Sequence, residues 1–83
     1  MDALQVFAGN MRRLRTEAGL TQEALADRSG VDFASVGRIE RAERDPGVRT
    51  VARLAAGLGV EPVQLFVDVP ASPSKADSTT KDA

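Results

Sequence analysis

The chain has 83 residues, 42% of them hydrophobic, with a formal charge of −1 and an isoelectric point near 5.3. That is room for one domain with one modest core. It contains no Cys and no His, which excludes disulfides, thiolate chemistry and the commonest acid–base catalyst and metal ligand.

No phosphate-binding Gly loop and no paired carboxylates suggest a catalytic cleft, so neither an enzyme nor a cofactor or metal is expected. No signal peptide, membrane span or lipidation motif is visible, so the expected setting is the cytoplasm.

Helix one is expected from Ala3 to Ala18. Leu4, Phe7, Met11, Leu14 and Ala18 recur at helical spacing and describe one buried face, and Gly19 ends the helix. Arg15 sits at the edge of that face, four residues after Met11.

The segment Thr21–Arg41, TQEALADRSGVDFASVGRIER, reads as two short helices and a tight turn. Thr21 is a good N-cap, and Glu23 in the first turn suits the helix dipole. Helix two is expected over Gln22–Ser29 and helix three over Phe33–Arg41. Gly30 supplies a left-handed turn residue and Asp32 caps the second helix. Leu25, Ala26, Val31, Val36 and Ile39 point inward, and the small Ala26 lets another helix cross closely. Phe33, Ala34, Gly37 and Arg38 are left facing outward. The pattern fits a helix-turn-helix, although an ordinary αα-hairpin has the same spacing.

Pro46 breaks the helical pattern after Arg44. Helix four is expected over Val48–Leu58, with Val51, Leu54, Ala55 and Leu58 inward and Gly59 as its end. Val60 turns into the core. Pro62 suits the first position of a short fifth helix anchored by Leu65 and Phe66. The final stretch, PASPSKADSTTKDA, has almost no large apolar side chain to offset its ordering entropy. One domain over 1–69 and a disordered tail over 70–83 are therefore expected. Five short helices with short loops predict an all-α orthogonal bundle.

The run from Met11 to Phe66 contains LR..AGLTQE.LA, then GV....V.RIER.ER.P, then T..RLA.GLGV....LF. It resembles the lambda-repressor-like, or XRE-type, helix-turn-helix family. Ala42 departs from the pattern, since many members carry Gly there. The resemblance implies a compact five-helix lambda-repressor-like domain that binds double-stranded DNA through helix three. It implies base contacts at Phe33, Ala34 and Arg38, and a phosphate contact through the backbone amide of Gln22, whose side chain braces the recognition helix or touches a base edge, with Thr21 adding its hydroxyl. It also implies a buried ion pair between Arg15 and Glu40, where two separate surface charges are the alternative.

The chemistry of these residues agrees with such roles. A guanidinium at Arg38 can donate two bonds to guanine O6 and N7, or it can meet a phosphate. Phe33 and Ala34 offer apolar surface to thymine methyl groups. Ser35 can reach a phosphate or base, or cap helix three locally. Gly37 permits a close backbone approach to DNA. Arg41, Arg44 and Arg49 are candidates for backbone phosphates. From Arg38 to Arg53 five arginines face three acids, whereas from Glu61 onward four acids face two lysines.

A small domain makes few contacts, so a homodimer on a two-fold operator is expected. Val63, Leu65 to Val69 and the edge of helix four would form its interface. Regulation of transcription as a repressor is the first functional expectation. The second is a protein-interaction module, antitoxin-like, that holds a partner protein and touches DNA only secondarily. The acidic isoelectric point and the apolar Phe33 and Ala34 keep that reading open.

Overall fold

The order of elements is α1 (Ala3–Glu17), α2 (Gln22–Ser29), α3 (Phe33–Glu40), α4 (Val48–Leu58) and a 3-10 segment (Pro62–Phe66). The computed structural model describes residues 1–71, and there are no strands among them. Of the expected tail, residues 72–83 lie outside the described residues.

Each helix begins and ends where local chemistry places it. Asp2 accepts from the Gln5 amide at 2.9 Å while the Gln5 side chain accepts from the Asp2 amide at 2.9 Å. This reciprocal box starts α1. Thr21 Oγ1 accepts from the Ala24 amide at 3.0 Å and starts α2. Gly30, at φ +74°, ends α2 and turns the chain into α3. Helices one and three each stop one residue short of expectation, with Ala18 and Arg41 as the capping residues.

The core is built from Phe7, Met11, Leu14, Leu25, Val31, Val36, Ile39, Leu54, Ala55, Leu58 and Leu65. On α1, Ala8 is buried and Ala18 is exposed, so the inward stripe is shifted from the expected one. The closest crossing joins α2 to α4. A Cβ added at Gly57 would lie 2.9 Å from Ser29 Cβ and 3.0 Å from the Ser29 amide nitrogen. Ser29 and Gly57 therefore set this approach, and Ala26 of α2 is half-buried against the core. Arg28 Nε reaches across the same crossing to the Gly57 carbonyl at 2.8 Å.

The fifth element is a correction. Pro62–Phe66 is a 3-10 turn, not an α-helix, so the domain has four helices and a 3-10 segment. Gln64 donates its amide to the Glu61 carbonyl at 2.9 Å, the tighter three-residue bond. Asn10 Nδ2 takes the Leu65 carbonyl at 2.9 Å and the Val67 carbonyl at 2.8 Å. These bonds tie the segment to α1 and compete with a continuing helical ladder. Phe66 stacks obliquely on Phe7, ring centroids 5.2 Å apart.

Candidate nucleic-acid interface

The last residue of α3 is the junction of the candidate site. Arg15 Nε donates to Glu40 Oε2 at 2.5 Å, Arg15 Nη2 to Glu40 Oε1 at 3.0 Å, and Arg15 Nη1 to the Leu20 carbonyl at 2.8 Å. Gln22 Nε2 adds a bond to Glu40 Oε1 at 3.1 Å. The carboxylate thus ties together α1, the turn after it, the first turn of α2 and the end of α3. The hydrogen bond to Glu40, the largest influence, raises the Arg15 pKa, with the Glu40 charge assisting and burial opposing.

The start of α3 has its own network. Asp32 accepts from the Ser35 amide at 3.0 Å. Hydrogen bonds from the Ser35 side chain, then from its amide, hold the Asp32 carboxyl below its usual range, with a smaller contribution from the Arg44 charge. Arg44 in the following loop reaches back and donates to the Ser35 hydroxyl. Ser35 is only 3% exposed. Its hydroxyl, a candidate for DNA contact, instead accepts from Arg44 beside the first turn of α3.

The two faces of α3 differ sharply. Val36 and Ile39 are fully buried, while Phe33 is 55% exposed and Ala34 and Arg38 are exposed. Arg38 makes no ion pair among the described residues. Gly37 is buried, and a Cβ there would come within 3.1 Å of Arg41 Nη1. The Arg41 guanidinium lies over Gly37. Arg41 Nε also lies 3.2 Å from Glu43 Oε2 in an exposed pair. Arg49 is exposed in the first turn of α4, and Thr21 is exposed at the start of α2.

The helix-turn-helix family model matches residues 11–65, a span that begins within α1 and runs through α2, the turn, α3 and α4. The chain belongs to the XRE-type helix-turn-helix family. An uncharacterised HTH-type transcriptional regulator of Sinorhizobium fredii, y4dJ, is 40% identical over 73 residues, covering 88% of this chain and 95% of that protein. The control protein C.SmaI of Serratia marcescens is 35% identical over 66 residues, covering 80% and 79%. The crystal structure of the restriction-modification controller protein C.AhdI from Aeromonas hydrophila is similar at a TM-score of 0.74 and 43% identity, covering 76% of this chain and 96% of that one. The first of these is named a transcriptional regulator and the other two control or controller proteins.

In this XRE-type domain, Ala42 stands just beyond α3 with φ +57°, in the left-handed region. The Glu43 amide bonds to the Arg38 carbonyl at 2.8 Å and the Ala42 amide to the Ile39 carbonyl at 3.0 Å, the paired bonds of a Schellman cap. Alanine therefore holds the conformation that glycine adopts most readily, and the turn keeps its geometry under strain.

A second surface is apolar. Val48 is 86% exposed, Val63 69%, Phe66 46% and Val67 47%. Val48 and Phe66, with Pro46, Val51, Ala52 and Pro62, line a groove between α4 and the 3-10 segment. Leu65 was expected at a dimer interface but is fully buried in the monomer's own core. Of the expected interface residues, Val63, Phe66, Val67 and Asp68 are exposed and Val69 is half-buried. No helix among the described residues is long and apolar enough to cross a membrane.

Proposed function

We propose that this chain is a sequence-specific binder of double-stranded DNA that regulates transcription, with α3 entering the major groove. One observation carries the reading: α3 is fully packed on Val36 and Ile39 and presents Phe33, Ala34 and Arg38 to solvent. The start of α2 lies beside it through the Gln22–Glu40 bond. Helix N-termini hold phosphate through free amides and the dipole, so Gln22 and Thr21 are suited to the backbone next to the groove. Arg41, Arg44 and Arg49 add positive charge, and Arg38 is the reader of guanine.

The apolar surface at Val48, Val63, Phe66 and Val67 supports a homodimer, which on a two-fold operator would separate the two copies of α3 by about 34 Å. The controller and regulator names of the relatives favour a repressor or controller of its own or neighbouring genes. The cytoplasm is the setting in which such a protein works. Selection of bound duplexes from random DNA at near-physiological salt tests the reading. An inverted repeat is the expected outcome. Folded protein that recovers no sequence would move the function to the second reading, in which the same apolar surface seats a partner protein.

A further inference from the structure

The solvent face of α3 carries few hydrogen-bonding readers. Ser35 is buried with its hydroxyl turned to Arg44, the Gln22 amide is engaged by Glu40, and Gly37 lies beneath Arg41. What the helix shows is one guanidinium, Arg38, and two hydrocarbon surfaces, Phe33 and Ala34. Hydrocarbon does not distinguish base pairs by their donors and acceptors. The apolar mark that a base pair presents in the major groove is the methyl on C5 of a pyrimidine.

Ala34 and Arg38 stand one turn apart on the same stripe of α3, with Phe33 at its edge. Four residues of helix rise about 6 Å, so both positions lie within reach of one stretch of groove. Resting on the DNA-binding reading above, we propose that Phe33 and Ala34 read the C5-methyl group of a pyrimidine in the same half-site as the guanine met by Arg38. The chain then takes 5-methylcytosine as it takes thymine. The two bases differ at position 4, acceptor against donor, and the paired purine changes with them, but an apolar surface bonds to none of these groups, so the exchange breaks no hydrogen bond to Phe33 or Ala34. The ligand class is duplex DNA carrying a C5-methylated pyrimidine, whether thymine or a modified cytosine.

The test uses the full chain and a duplex recovered by selection. That duplex is resynthesised with thymine, uracil, cytosine or 5-methylcytosine at the pyrimidine in question, and Kd is measured by fluorescence anisotropy at fixed salt. Thymine and 5-methylcytosine duplexes should bind alike, and uracil and cytosine about fourfold more weakly per half-site, the worth of one buried methyl. Equal binding of thymine and uracil duplexes overturns the proposal, and so does 5-methylcytosine binding as weakly as cytosine. The double variant Phe33→Ser, Ala34→Ser should lose the thymine–uracil difference yet keep the guanine preference. A difference that persists in the folded variant overturns the assignment to these side chains. If the variant does not fold, the four-base comparison on the unaltered chain decides. A chain that selects no duplex at all overturns the DNA-binding reading itself, which is a different result from binding without regard to the methyl.

Discussion

Arg15 and Glu40, 25 residues apart, meet in a two-pronged ion pair whose side chains are 14% and 3% exposed. The pair ties the recognition helix to α1. Desolvation offsets much of the attraction between such charges, but a single charge left behind is costly. Glu40→Ala should therefore destabilise the fold by about 3–5 kcal/mol. Replacing both residues by apolar ones of similar volume should recover most of that loss. Urea denaturation of the three proteins measures it, and an unchanged midpoint for Glu40→Ala would contradict the burial.

Ala42→Gly should raise stability by about 0.5–1 kcal/mol, because the left-handed strain relieved exceeds the entropy lost by glycine. The paired cap bonds at the end of α3 stay in place. A melting temperature that falls would show that Ala42 makes a packing contribution larger than its strain.

Asn10→Ala should cost about 1–3 kcal/mol, since two carbonyls lose their shared donor. Amide exchange should quicken in the 3-10 segment before the rest of the domain. Self-association should weaken too, because Asn10 holds Val67 and the turn that carries Val63 and Phe66. Sedimentation equilibrium of the variant and the parent checks the second effect.

Arg38→Ala should lose about 1–3 kcal/mol of affinity and relax preference at one base position. Arg49→Ala should weaken specific and random duplexes alike and reduce the slope of log K against log salt by about 0.9. Titrations at several salt concentrations separate the two roles. Equal losses for Arg38→Ala on specific and random DNA would make it a phosphate contact.

Asp32 gives the domain an acid-sensitive cap. Its folded pKa is lowered, chiefly by the Ser35 side chain. Stabilisation from a lowered carboxylate is complete above the unfolded value, about 3.9, and is lost as pH falls through the folded one. Asp32→Asn can still cap α3 but does not titrate, so its melting temperature should fall less steeply with acid below about pH 4. Identical acid limbs for the two proteins would remove Asp32 from that role.

Capping and periodicity are local, and they were readable in the residues alone. Thr21, Gly30, Asp32 and Gly59 mark helix ends through their own side chains or backbone freedom, so α2 and α4 fall where the spacing predicts. The ordered motifs from Met11 to Phe66 likewise pointed to the family. Packing between distant segments is not written in any one window. Ser35 looks like a free hydroxyl until Arg44 folds back onto it. Leu65 looks like interface until the turn buries it, and the segment around it looks like a helix until Asn10 takes two of its carbonyls. A side chain's availability to a ligand depends on which partners arrive from elsewhere in the chain. Here those partners are 9 to 57 residues away, beyond the reach of helical spacing.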